Sequence, residues 1–164
     1  MSNFALDIRK FAENSKVKTD AVVKKVLLDV TKQVVQMSPV GDGTLWKTPP
    51  PPGYIGGRFR GNWQFGISAV PSGELDNLDN VGDGSKTYEG IFASIPDKAA
   101  GNIYYLANNL PYAQRLENGW SSQAPVGMVA LTVVKWNSIV DQAVNGTYDR
   151  SSPGLAAGFK AYKV

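Results

Sequence analysis

The sequence contains no cysteine and no histidine. Without these residues the chain has no disulfide bond, no thiol nucleophile, no imidazole general base and none of the zinc sites built from cysteine and histidine. Catalysis would have to depend on carboxylates, lysines or a carboxylate-bound metal ion. We therefore expect that the protein is not an enzyme and has no catalytic residues, cofactor or metal site.

Long apolar segments are also missing from the sequence. No run of about 18 apolar residues occurs, so no part of the chain is expected to span a membrane. The first residues, Met1-Ser2-Asn3-Phe4, lack the charged region and apolar core of a secretory signal. We therefore expect neither a signal of this kind nor a membrane partner.

The length of 164 residues predicts one domain, because domains commonly contain about 100 to 150 residues. The net charge of +3 is unevenly placed: residues 1–60 hold ten Lys and Arg against five Asp and Glu, and the rest hold seven against nine. This asymmetry has three interpretations: a surface that faces DNA, a contact between basic and acidic faces of neighbouring copies, or a solvated helix face. For any single lysine the last of these is the simplest.

Residues 3–37 have the apolar spacing of one long helix. Its predicted stripe consists of Phe4, Ile8, Phe11, Val22, Val26, Leu27, Val30, Val34 and Met37. Pro39 stops the helix, because the residue before a proline disfavours the α region. The length of such a helix matches the width of a small domain, so we expect it to lie across a sheet.

The helix is followed by a long irregular excursion that contains several glycines and four consecutive prolines. Its centre, residues 46–57, is predicted to be a proline-rich arm that either stays a flexible surface loop or docks on a neighbour. Trp46, Tyr54 and Phe59 favour docking, because aromatic side chains exposed on a loop usually pack on a partner. The flanking residues Arg58 and Arg60 are candidates, with Phe59, for stacking on nucleic acid.

Further elements follow from the spacing of apolar residues. They are a half-buried strand at 62–70, a helix at 85–98, a buried strand at 103–106 and a last helix at 127–144. The carboxylates of residues 72–85 do not have the spacing of a calcium-binding loop, so a solvated turn is expected there. The domain is predicted to cover residues 1–146. Residues 147–164 form a C-terminal extension, either frayed or docked through apolar residues such as Phe159.

These elements predict an α+β fold, in which a long N-terminal helix and a C-terminal helix pack on a small, mainly antiparallel sheet with long loops. Only two strands are predicted, and a stable sheet needs more. We therefore expect a third strand, either in the loops or from a neighbouring subunit.

The block of residues 102–128 combines a strand, a turn, a short helix and a loop. Pro111 suits the first turn of the helix, and Gly119 suits its C-terminal cap. This block resembles the pattern of small connector proteins of tailed bacteriophages, the family that includes minor tail protein Z and related neck and tail completion proteins. The matching residues are Asn108, Asn109, Pro111, Tyr112, Ala113, Leu116, Glu117, Gly119, Gln123, Ala124, Pro125, Gly127 and Met128.

A second set of residues resembles the family at the end of the first helix and the start of the first strand. It consists of Ser38, Pro39, Val40, Gly43, Leu45, Arg60, Gly61, Asn62 and Trp63. Order and spacing agree over roughly residues 1–146. The proline-rich insertion at residues 46–57 is the one departure from the family pattern.

The resemblance implies a structural virion protein at the neck or head-proximal tail end, made in the host cytoplasm and assembled as a ring that joins the phage head to the tail. Six copies are expected by analogy with other tail-proximal rings. The implied partners are other neck, tail terminator or tail tube proteins, and DNA in the ring lumen without sequence specificity. The alternative is a monomeric nucleic-acid-binding protein that uses the basic N-terminal helix, and a hydrolase is a distant third.

Within such a ring, we expect Tyr112, Leu116 and Trp120 to hold the short helix against the sheet. The following loop, which contains Gln123, would then be presented to a neighbouring subunit, with Trp120 as an aromatic anchor. Glu117 is expected to fix the turn through hydrogen bonds to backbone N–H groups or to a neighbour's basic residue. It has no second carboxylate nearby in sequence with which to act as an acid or base.

Overall fold

The computed structural model of the protein describes residues 3–147. The predicted C-terminal extension beyond Thr147, with the interface candidate Phe159, lies outside the described residues. In chain order the elements are α1 (Asn3–Met37), a 3₁₀ turn (Gly43–Leu45), α2 (Arg58–Gly61), β1 (Trp63–Ile67), α3 (Ser85–Phe92), β2 (Tyr104–Asn108), α4 (Ala113–Glu117), α5 (Val129–Val134) and α6 (Trp136–Thr147). The predicted α+β fold, with a long N-terminal helix, C-terminal helices and a small antiparallel sheet, is confirmed.

In the part of the chain that the structure describes, the sheet consists of β1 and β2 alone, paired antiparallel with Trp63 opposite Asn108. The first strand ends at Ile67, before the predicted limit at residue 70, because Ser68 adopts a positive φ of 61° and turns the chain. The second strand is half-buried rather than buried, and it begins only after the exposed Ile103. A two-stranded ribbon is marginal by itself, so its stability depends on the packed helices.

The first helix has 35 residues, which corresponds to a length of about 52 Å. Its later half is packed: Val34 and Val35 are buried, and α1 contacts α3, α5 and α6. The prediction that Ile8 and Phe11 belong to the packed stripe is wrong, because both are exposed. The helices beside α1 are short and cover only its later part. The C-terminal end of α1 meets the sheet, where Val34 and Val35 share a core with Trp63.

The core joins the end of α1 to the sheet and to the block that follows β2. Its buried residues are Val34, Val35, Phe59, Trp63, Ile91, Leu110, Ala124 and Met128. Phe65, Leu106, Ala113 and Leu116 pack against them from partly exposed positions. The apolar face of the ribbon, the short helix α4 and the loop after it therefore share one core with α1.

Two predicted helices differ from those observed. The helix expected at 85–98 ends at Phe92, because the amides of Ser94 and Ile95 bond back to carbonyls three residues earlier and tighten the chain ahead of Pro96. The single helix expected at 127–144 is two helices separated at Lys135. The hydroxyl of Thr132 donates a hydrogen bond to the carbonyl of Met128, a contact that bends helices.

Candidate interaction site

The carboxylate of Glu117, at the end of α4, caps the start of α5. One oxygen accepts hydrogen bonds from the backbone N–H groups of Met128 at 3.0 Å and Val129 at 3.1 Å, and the other accepts from Ala130 at 2.9 Å. These amides have no partner within their own helix, and the positive end of the helix dipole favours a negative charge. The prediction that Glu117 accepts hydrogen bonds from backbone N–H groups is confirmed.

Two glycines close the loop between α4 and α5. Gly119 follows α4 with a φ of 82°, as expected for its C-terminal cap, and a Cβ there would lie 2.4 Å from the carbonyl oxygen of Pro125. Gly127 has a φ of 79°, and a Cβ there would lie 2.5 Å from the carboxylate of Glu117. Neither position accepts a larger residue, so the loop returns tightly on itself.

The side chain of Gln123 fixes this loop to the segment that leaves α1. Its carbonyl oxygen accepts from the N–H of Val40 at 3.0 Å, and its amide donates to the carbonyl of Val40 at 3.0 Å. Nearby, Ser38 accepts a 2.7 Å hydrogen bond from the indole N–H of Trp63 and donates to the carbonyl of Val34 at 2.8 Å. The two sets of residues in the resemblance, far apart in sequence, are thus in direct contact.

Trp120 is held at the rim of this unit with its side chain turned outward. It is 76% exposed, and the guanidinium of Arg115 lies 5.7 Å from the centre of its ring. The expectation that Trp120 holds α4 against the sheet is wrong. Leu116 packs on the core instead. The turn at Gly119 directs Trp120 away from the core. Trp120 is therefore available to a partner.

Tyr112 lies between the core and solvent. Its ring is 6.3 Å from that of Phe59, and its partial burial raises the pKa of its hydroxyl. The loop after Trp120 and the outer side of α5 add exposed apolar side chains. These are Val126, Val129 and Val133. Exposed apolar side chains on the loop and helix that follow Trp120 are candidates for contact with a partner.

The proline-rich arm has contacts of its own. The rings of Trp46 and Tyr54 are 4.7 Å apart within the arm, and both side chains remain partly exposed. Just before the arm, Asp42 accepts hydrogen bonds from the hydroxyl of Thr44 at 2.6 Å and from its N–H at 2.9 Å, and these bonds lower the pKa of Asp42. Burial raises the pKa of the Tyr54 hydroxyl. The arm therefore presents two aromatic side chains from a folded loop.

Phe59 and Arg60 are not exposed, contrary to the prediction. Phe59 is 5% exposed and meets Trp63 edge to face at 5.9 Å. Arg60 is also 5% exposed; it forms a 3.2 Å ion pair with Asp79 and donates to the carbonyls of Asp79, Val81 and Gly82. Both side chains are used inside the fold, so they are unavailable for stacking on nucleic acid or contacting a neighbour.

The acidic segment contains a structural residue that sequence analysis missed. Asp79 is 3% exposed and accepts hydrogen bonds from the N–H and hydroxyl of Thr87, which fixes the start of α3. The expectation of a wholly solvated turn is corrected at this position. Arg58, by contrast, remains at the surface, where it pairs with Glu74 at 2.9 Å.

Comparison of the chain with models of known protein families, with curated proteins and with solved structures found no match. Among residues 3–147, no helix is long and apolar enough to cross a membrane. The same part of the chain has no group of three or more acidic, histidine or cysteine side chains placed to hold a metal ion.

Proposed function

We propose that the protein is a structural component of a tailed-phage virion, located at the neck or head-proximal tail end, where copies of the chain assemble into a ring that joins head to tail. The observation that carries this proposal is the contact between the two sets of family-like residues. Gln123 bonds Val40, and Glu117 caps α5, so that Trp120 projects from a fixed loop.

The exposed surface around Trp120 supports a contact between subunits. Large aromatic residues are the usual anchors of protein interfaces, and here the tryptophan is accompanied by Val126, Val129 and Val133. The loop that carries it is closed by Gly119 and Gly127 and fixed by Gln123, so little entropy is lost on docking. The proline-rich arm, with Trp46 and Tyr54, supplies a second contact of the same kind.

In this proposal the ring contains six copies and contacts other neck, tail terminator or tail tube proteins. DNA passes through its lumen without sequence-specific contacts. Neither a membrane nor a cofactor takes part. The role of every residue named here is mechanical: it shapes the subunit or the contact between subunits, and none performs chemistry.

A second function, binding of nucleic acid by the monomer, is favoured by one observation. The first part of α1 carries the exposed basic residues Arg9, Lys10 and Lys16 on a helix that few neighbours cover. Contacts of such residues with phosphates would give affinity that falls steeply with salt.

Sedimentation velocity and negative-stain electron microscopy of the purified protein test the proposal, with DNA binding measured at low and high salt. We expect concentration-dependent assembly into a closed ring and weak, sequence-independent DNA binding. A protein that stays monomeric at every concentration and binds DNA tightly with a steep salt dependence would support the second function instead.

A further inference from the structure

We infer that the first part of α1 is a docking element that binds an acidic surface on a second copy of this chain. This docking element, which we call the α1 extension, comprises residues 5–18. The acidic face comprises residues 74–92, from the loop before α3 to the end of that helix. This inference rests on the proposed ring and names one of its subunit contacts.

The α1 extension is a helical segment whose large apolar side chains are exposed in its own subunit. Every residue from 5 to 14 is exposed, and large apolar side chains project from the segment at Leu6, Ile8, Phe11 and Val17. Helical segments of this length are marginal in water unless tertiary packing stabilises them. The extension therefore has the properties of a segment that packs on something else.

Residues 5–14 of the extension lie beyond the body of the subunit. On the α3 side, Lys24 pairs with Asp97 at 2.7 Å, and the carboxylate of Asp20 accepts from the N–H of Ala100 at 2.7 Å. At a rise of 1.5 Å per residue, residues 5–14 lie about 9 to 22 Å beyond Asp20 along the helix axis. Because α1 is one continuous helix, the extension cannot fold back onto the acidic face of its own subunit.

The acidic face has the opposite charge and a similar apolar content. Residues 74–92 contain five Asp and Glu against one Lys, whereas residues 5–18 contain four Lys and Arg against two Asp and Glu. Within the described residues, Asp76 and Glu89 are exposed and have no ion-pair partner. Exposed apolar side chains lie among these charges, at Leu78, Val81 and Phe92.

This complementarity favours a second copy over DNA as the partner. Phosphates would satisfy Arg9, Lys10 and Lys16 but would leave the apolar side chains of the extension in water. A surface that offers carboxylates and apolar groups can contact the basic and the apolar side chains of the extension together. Complementary charges also fix the register of the contact. Because the two surfaces differ, the contact is heterologous, which is the kind that closes into a ring when its rotation permits.

Charge reversal tests the inference. The double variant Lys10→Glu/Lys16→Glu reverses two charges of the extension, and Asp76→Lys/Glu89→Lys reverses two charges of the acidic face. Each should weaken self-association roughly tenfold or more in sedimentation equilibrium, and a chain with all four changes should return to within about threefold of the wild type. Lys98→Glu/Lys135→Glu, with the same change in charge at exposed positions outside both surfaces and outside the proline-rich arm, is the matched control and should associate normally.

Each other outcome overturns a specific statement. Wild-type rings that tolerate every reversal would refute this contact and leave the proposed ring intact, whereas reversal-sensitive association without closed rings would support the contact and refute the ring. A wild type that never associates refutes both. The inference also fails if extension reversal abolishes DNA binding without weakening association. A lower melting temperature of the dilute monomer after that reversal would show that its own chain covers the extension, and would likewise refute the inference.

Discussion

The carboxylate of Glu117 accepts a 3.0 Å hydrogen bond from the backbone N–H of Met128 and caps α5 across an otherwise irregular loop. Glu117→Gln keeps one acceptor oxygen and loses the charge, so it should lower the free energy of unfolding by about 1–2 kcal/mol. Glu89→Gln, at an exposed helical carboxylate, is the matched control and should change it by less than about 0.5 kcal/mol. Equal urea-unfolding curves for the two variants would contradict the capping role.

Loss of the buried ion pair between Arg60 and Asp79 should lower the stability of the fold by a larger amount. Arg60→Ala leaves the carboxylate of Asp79 buried without its cation and should destabilise the fold by about 3–5 kcal/mol. Arg58, two residues earlier, pairs with Glu74 at the surface, so Arg58→Ala should cost less than about 1 kcal/mol. Chemical denaturation of both variants checks the difference. A small effect at Arg60 would mean that water or another group replaces it.

Because α1 is packed only along part of its length, replacing a valine with alanine should lower the free energy of unfolding by different amounts at two positions of this helix. Val35 is 0% exposed and Val17 is 67% exposed. Val35→Ala removes buried apolar surface and leaves a cavity, so it should cost about 2 kcal/mol, whereas Val17→Ala should leave the unfolding free energy of the dilute monomer within about 0.5 kcal/mol of the wild type. Thermal melts at low protein concentration make the comparison. Similar losses at both positions would place the extension inside the monomer core.

Patterns within one element predicted the fold well, because apolar spacing reports which face of a helix or strand is buried. The long helix, both strands and the cap at Gly119 follow from such local patterns. The extent of packing along α1 does not. The same apolar spacing continues through Ile8 and Phe11. How much of α1 is covered depends on the lengths of the neighbouring helices α3 and α6, and those lengths are set elsewhere in the sequence.

The candidate site was predictable where its chemistry is local or forms part of a known pattern. The hydrogen bonds of Glu117 to backbone amides could be expected for a lone carboxylate beside a turn. Arg60 and Asp79 are separated by β1 and the irregular segment that follows it, and no spacing rule connects the two residues. An arginine beside an aromatic residue suggests stacking on a ligand, yet the fold uses this arginine to tie a loop together. Burial decides between those roles, and burial is a property of the whole fold.

Hydrogen bonds to Asp83 predict acid sensitivity. The hydroxyl of Tyr88 and the amide of Gln36 donate to this carboxylate and hold its pKa below the usual range. A depressed pKa in the folded state contributes stability that is present above the unfolded pKa and is lost as the pH falls through the folded pKa. Asp83→Asn should therefore be less stable than the wild type at about pH 6, and the difference should shrink towards about pH 2.5.

The control for that experiment is Asp76→Asn. Asp76 is exposed and has no hydrogen bond or ion pair among the described residues, so this variant should follow the wild type at both pH values. Melting temperatures at the two pH values check both variants. A stability difference for Asp83→Asn that stays constant with pH would show that the carboxylate acts by geometry rather than by charge.

Trp120 provides the test that separates folding from assembly. Its side chain is 76% exposed and contacts Arg115, so Trp120→Ala should change the unfolding free energy of the monomer by less than about 0.5 kcal/mol. If the tryptophan anchors a neighbouring subunit, the same change should cost about 2 kcal/mol or more in association, a loss of roughly 30-fold in affinity. Trp120→Phe keeps an aromatic ring and should recover much of that loss. Sedimentation of the three proteins at matched concentrations, followed by electron microscopy, gives the result: intact rings from Trp120→Ala would remove this residue from the subunit interface.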